Sequence, residues 1–337
     1  MRLFLKFSLI LAAILIPASV LIPRAYGISF PRQPGPATDR QVRTHHIEYM
    51  DEHQPQIVLI GDSTLVLGMD PDLLAERTGR SVYRIGIPGS ASALWYLLLK
   101  NNIAETTHKP EYVLVVFRDS ILTAPGYRVH GSYFELVDEY AGSNEPVFIE
   151  KSFINQMNPL EIMADKYFPL YVARTDIRNA IDARIRYFSP PLLGCDRDCT
   201  DHALGELFAG ADFEPQALVD AVNAAESLLY TPRQLDFEAR VERSFLPDMI
   251  DIAKENGIHL VFVRIKVESG NDSPELNKYL VDLRKYLAEK DASLLDFGDD
   301  PRLTPEHFRD SIHLNETGRE IFTNLVADGM REIWGER

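Results

Sequence analysis

Five short apolar runs, alternating with segments of helical periodicity, set the strictest limit on how this chain can fold. The runs are QIVLIGDS (56–63), SVYRIGIPGS (81–90), EYVLVVFRDS (111–120), IHLVFVRI (258–265) and ASLLDFG (292–298). Each is rich in Val, Ile, Leu, Tyr or Phe and bounded by Gly or polar turn residues, as expected of strands buried on both faces. Between them lie PDLLAERTG (71–79), with Pro in its first turn and Gly at its end, SALWYLLLKNNIAE (92–105), PELNKYLVDLRKYLAEK (274–290) and a last helix over 316–333. Strands that alternate with helices are joined by crossovers and therefore run parallel. The expectation is a doubly wound, three-layer α/β domain, flavodoxin-like, with five parallel strands in the order 2-1-3-4-5. On such sheets ligands bind beyond the C-terminal ends of the strands.

The sheet pattern covers residues 56–120 and 235–337. Between the third and fourth strands stand 114 residues, 121–234, too many for a loop. PLEIMADKYFPLYVARTDIRNAIDARIRYF and EPQALVDAVNAAESLL have helical periodicity, so this stretch is expected to be a mostly helical insertion. It either caps the active face or elaborates the fold without touching the chemistry. Residues 28–55 read as an extended tether, opened by the proline-rich ISFPRQPGPA, followed by a leading helix.

Residues 1–27 carry an address. Arg2 and Lys6 precede an uncharged run from Phe7 to Pro23, FSLILAAILIPASVLIP, which suits a thin membrane span or the apolar region of a signal peptide. An uncleaved anchor is the favoured reading, with cleavage near Ala25-Tyr26-Gly27 the alternative. The basic start keeps that end in the cytoplasm and sends the body to the periplasm or the exterior. The whole chain has 35 Lys and Arg against 50 Asp and Glu, a net charge of −15, which gives no grip on phosphate backbones and excludes nucleic acid as a partner class. Two cysteines are too few for a disulfide scaffold or a four-cysteine zinc module.

Gly61-Asp62-Ser63 ends the first run, where a hydroxyl can be presented at the active edge of the sheet. Alone, such a tripeptide is an ordinary capping turn. Far downstream, Asp310-Ser311-Ile312-His313-Leu314-Asn315 places an acid three residues before a histidine, just ahead of the last helix. A serine hydroxyl needs an imidazole to take its proton and a carboxylate to hold that imidazole in the right tautomer. Ser63, His313 and Asp310 fill those roles.

With these residues the chain resembles the SGNH, or GDSL, hydrolase superfamily. The first block matches as IGDST around Ser63 and the last as DSIHLN, and RIGIPGS is similar to the second block, with Gly89 where the family's oxyanion-hole glycine stands. The third block departs: where the family has Gly-x-Asn-Asp, this chain has Val116-Phe117-Arg118-Asp119. Arg118 replaces the asparagine that donates to the oxyanion, and a guanidinium can itself stabilise negative charge. The cadence of STLVLGMDPDLLAERTGRSVYRIGIPGS, together with the export segment, is similar to membrane-anchored SGNH proteins of bacterial surface-polymer acylation. Those include proteins that modify alginate and lipoteichoic acid, often beside a membrane-bound O-acyltransferase. The resemblance implies an exported acyltransferase or esterase working through an acyl-Ser63 on O-acyl groups of a surface glycan or polymer. Two rivals stand beside it: a catalytically weak accessory scaffold for a membrane-bound O-acyltransferase, and a free-standing lipid or small-ester hydrolase.

GIPGS is no dinucleotide fingerprint, so no cofactor is implied. Cys195 and Cys199, in GCDRDCTDH, are open to three readings: a small disulfide loop, which export favours, a metal site shared with His202, or free thiols. No metal is expected. His307 lacks an acid three residues earlier and reads as turn packing, His45-His46 as a solvated helix face, and Arg264 as either an anion ligand or a buried salt bridge.

Overall fold

The computed structural model describes residues 2–25, 31–172, 226–268 and 273–335. Its sheet consists of β1 (Ile57–Gly61), β2 (Val82–Gly86), β3 (Tyr112–Phe117), β4 (His259–Arg264) and β5 (Ser293–Asp296). All neighbours pair in parallel, in the order β2-β1-β3-β4-β5, as the alternating pattern predicts. The register aligns the strand tips: Gly61 lies opposite Gly86, Phe117 opposite Arg264, and Arg264 opposite Asp296. Whatever follows those tips shares one edge.

Successive side chains of a strand point to opposite faces, and here both faces are covered. Val58, Ile60, Val113, Val115 and Phe117 pack into one apolar cluster with Trp95 and Phe245. Ile57, Leu59, Leu114 and Val116 pack into another with Leu325, Phe322 and Met330 of the last helix, Glu316–Gly335. That double burial is why β1 and β3 read as unbroken apolar runs instead of alternating ones. Each fully buried side chain of this size contributes roughly 1.5–3 kcal/mol.

The described residues fall into two compact units, one drawn from Met1–Pro36 and Gln156–Asn223, the other from Ala37–Asn155 and Ala224–Arg337. The second holds the sheet, and the helices Ser132–Asp138 and Pro146–Ser152 belong with it. In the first, Asp165 accepts hydrogen bonds from the Gly35 N–H at 2.7 Å and from Arg32 at 3.3 Å. This ties the proline-rich stretch to the helix Pro159–Tyr167. The first helix, Arg2–Ala25, leaves Leu3, Phe4, Leu5, Phe7, Leu9 and Ile10 exposed. Among the described residues no helix is long and apolar enough to cross a membrane.

Cys195, Cys199 and His202 lie outside the described residues, so the disulfide and metal readings have no structural counterpart here. His46 departs from the solvated face expected of it. Only 8% of it is exposed, and its Nδ1 lies 2.8 Å from the Tyr83 hydroxyl. The helix His45–His53 turns Met50 and His46 inward on one face and leaves His45 in solvent.

Candidate active site

Ser63 is the first residue of a six-residue helix, Ser63–Gly68, that starts just beyond β1. Asp62 caps it, its carboxylate accepting from the Thr64 N–H at 2.8 Å and the Thr64 hydroxyl at 2.7 Å. The cap fixes the turn. His313 comes from a tight hairpin closed by a bridge between Phe308 and Leu314, with the Arg309 N–H donating to the His313 carbonyl at 2.9 Å. Asn315 pins the base of that hairpin, its amide donating to the Glu306 carbonyl at 2.7 Å and its side-chain oxygen accepting from the Gly318 N–H at 3.0 Å.

These two elements bring His313 Nε2 to 2.8 Å from Ser63 Oγ. On its other side, Nδ1 lies 3.0 Å from each carboxylate oxygen of Asp310. The carboxylate accepts the Nδ1 proton, which leaves Nε2 free to accept the proton of the serine hydroxyl. Asp310 Oδ1 also accepts from the N–H groups of Ile312 and His313, at 3.0 and 2.8 Å. Burial pushes the Asp310 carboxyl up, but the Ile312 N–H and then the His313 ring and N–H outweigh it, so its pKa sits below the ordinary aspartate value.

Gly89 adopts φ +81°, a conformation that favours glycine, and a Cβ there would come within 3.0 Å of the Tyr133 ring. Its loop is stitched to β1, the strand that leads to Ser63. The Ser90 hydroxyl donates to the Gly61 carbonyl at 3.1 Å, the Ile87 N–H reaches the same carbonyl at 3.0 Å, and the Trp95 indole donates to Ser90 Oγ at 2.9 Å. Among the described residues no backbone acceptor takes the N–H of Ser63 or Gly89. Backbone N–H groups left without such an acceptor are what an oxyanion requires.

Arg118 follows β3 and is 3% exposed, its Nη1 paired with an acid and its buried Nε without a hydrogen-bond partner among the described residues. Its Nη1 lies 2.5 Å from Glu226, and no hydrogen bond joins it to Ser63 or His313. Burial acts to lower its pKa; the Asp62 charge and Glu226 more than reverse that. The guanidinium that could stabilise negative charge is thus held in an ion pair with Glu226. Arg264 likewise resolves to the salt-bridge reading, 3.1 Å from Asp296 and 3.4 Å from Asp299. His307 caps its own turn, its Nδ1 accepting from the Thr304 N–H at 3.1 Å.

Ser90, Trp95, Arg128, Tyr133 and Glu226 were not singled out by sequence. Ser90 stands in the RIGIPGS block and could have been. Glu226 could not, since its partners lie about a hundred positions away: 98 in the case of Arg128.

No family model and no curated protein sequence matches the chain. Among solved structures, it is similar to a GDSL-like lipase from Bacteroides thetaiotaomicron, at 11% identity and TM-score 0.37, covering 86% of this chain and 98% of that one. An acetylxylan esterase from Geobacillus stearothermophilus, solved as a catalytic mutant, gives 11% identity and TM-score 0.36, covering 81% and 93%. A family 3 carbohydrate esterase from Talaromyces cellulolyticus gives 9% identity and TM-score 0.35, covering 83% and 98%. At such scores the likenesses carry nothing about activity, and the fold rests on the chain's own strand order and register.

Proposed function

We propose that this protein is an SGNH-type serine acyltransferase or esterase that acts on O-acyl groups of an exported glycan or similar polymer. The observation that carries the chemistry is the 2.8 Å approach of His313 Nε2 to Ser63 Oγ, with Asp310 behind the ring. Ser63 Oγ attacks the ester carbonyl while Nε2 takes its proton. The tetrahedral oxyanion is held by the N–H groups of Ser63 and Gly89. Collapse breaks the ester C–O bond, and the imidazolium returns its proton to the departing alkoxide, leaving acyl-Ser63. Water or a second sugar hydroxyl then attacks, with His313 again the base, and the serine is regenerated.

The site of action is part of the proposal. The basic start and uncharged run of residues 1–27 support export, with the segment retained as an anchor, and a membrane-bound O-acyltransferase as partner. A serine-directed fluorophosphonate should label the wild type, and Ser63→Ala should abolish labelling with thermal stability nearly unchanged. Labelling that survives Ser63→Ala would sink the catalytic assignment.

A second reading has an observation behind it. Arg118 stands where the resembling family has its oxyanion asparagine and is committed to Glu226, which favours a catalytically weak accessory to the membrane acyltransferase. Polymer acylation that persists in Ser63→Ala cells but is lost on deletion of the protein would establish this role instead.

A further inference from the structure

Beside Ser63 lies a carboxylate cradle that the chain fills itself. One oxygen of Glu226 accepts from Arg128 Nη2 at 2.9 Å and from the Tyr127 hydroxyl, and the other lies 2.5 Å from Arg118 Nη1. Two guanidiniums and a phenol converging on one carboxylate form the arrangement that captures carboxylates and phosphates generally. The cradle reaches neighbours of Ser63 and of Gly89. Arg128 Nη1 lies 4.0 Å from Asp62, the residue before the nucleophile, and the Arg128 guanidinium stands 5.7 Å from the centre of the Tyr133 ring, the ring against which a Cβ at Gly89 would press. Arg128 thus spans the wall between the serine turn and the oxyanion glycine. It does so in a left-handed conformation, φ +54°, which a non-glycine residue keeps only where its surroundings hold it.

Charge bookkeeping gives the arrangement its consequence. Arg118 and Arg128 carry two positive charges, and Asp62 and Glu226 two negative ones, so the wall is neutral. Without Glu226 the arginines would present a net positive charge and two open forks. Burial works to raise the Glu226 pKa, but the hydrogen bond and charge of Arg118, with Tyr127 and Arg128, hold it below the ordinary value, so the carboxylate stays ionised.

We propose that Glu226 determines the charge preference of the Ser63 site, occupying the Arg118–Arg128 cradle so that substrates uncharged beside the ester are accepted and anionic ones are rejected. This deepens the acyl-transfer reading of the site and rests on it for its meaning, but it can be tested by binding alone. In a Ser63→Ala background, dimethyl succinate and the monomethyl succinate anion form a matched pair, titrated by ligand-observed NMR. The Ser63→Ala protein should bind the diester at least about tenfold more tightly than the anion. Adding Glu226→Gln should narrow that ratio about tenfold or reverse it, and adding Glu226→Asp should leave it near its starting value. Adding Arg128→Gln, which leaves a net negative wall, should widen it. A folded Glu226→Gln protein with an unchanged ratio would overturn the proposal, as would a Ser63→Ala protein that prefers the anion or binds neither ester. If Glu226→Gln fails to fold, the preference of the Ser63→Ala protein and the direction of the Arg128→Gln change decide the matter. Hydrolysis of dimethyl succinate by the wild type is read separately: its absence, with binding selectivity intact, counts against the catalytic reading and leaves the role of Glu226 standing.

Discussion

His313 touches Ser63 and Asp310 touches His313, and neither is part of the core, so their substitutions should separate chemistry from stability. His313→Ala should abolish fluorophosphonate labelling as fully as Ser63→Ala, because members of a triad act as a unit. Asp310→Asn should cost as much or less, up to roughly 10⁴-fold, by leaving the imidazole in the wrong tautomer. Melting temperatures should barely move, since Asp310 is half exposed. Arg118 is the contrasting case. Arg118→Ala leaves Glu226 with Arg128 and Tyr127 but without the nearer of its two guanidiniums, and breaking a buried pair costs up to about 3–5 kcal/mol. The expected result is a lower melting temperature, with labelling per folded molecule retained. A folded, fully stable Arg118→Ala protein that labels several-hundredfold more slowly would instead make the guanidinium an oxyanion donor.

The hairpin that delivers His313 is held by the helix behind it, and Gly318 is where the two meet. A Cβ at Gly318 would come within 2.3 Å of the His307 carbonyl, a backbone contact with no flexible end to give way. Gly318→Ala should therefore shift the hairpin and slow labelling by tenfold or more without touching a reactive group. A crystal structure of the variant with the 2.8 Å serine to histidine distance unchanged would contradict this. Elements of this kind differ in how far they can be read in advance. β1 and β3 were plain in the sequence because burial on both faces leaves no polar residue to interrupt them. The blocks around Ser63, Gly89 and His313 were plain because a hydroxyl in a capped turn after a strand, a glycine at positive φ and a histidine three residues after an acid each restrict the residue types locally. The Glu226 cradle and the Ser90 to Trp95 stitch were not, since each depends on groups that only folding brings together. His46 was misread because the other polar residues of its helix mask which side faces in.

Across the whole molecule, His46 should leave a mark on the pH dependence of stability. Burial, with lesser help from the charges of His45 and Arg43, lowers its pKa from 6.5 to about 4. The unfolded chain then binds the proton more tightly than the folded one. Stability is complete above pH 6.5 and declines as the pH falls towards 4, by something on the order of 3 kcal/mol. His46→Gln should flatten that slope of melting temperature against pH, and an unchanged slope would clear His46 of the effect. A different consequence follows from how far apart the reacting groups stand in the chain. Ser63 and His313 are separated by 250 positions. At 5–20 residues per second, a ribosome needs roughly 10–50 s to travel from one to the other. Through that interval the nascent polypeptide carries an ordinary alcohol. Only when the final hairpin and helix emerge and dock does the imidazole arrive, so under the acyl-transfer proposal a chain whose last residues have yet to fold is chemically silent, and a truncated one stays silent for good.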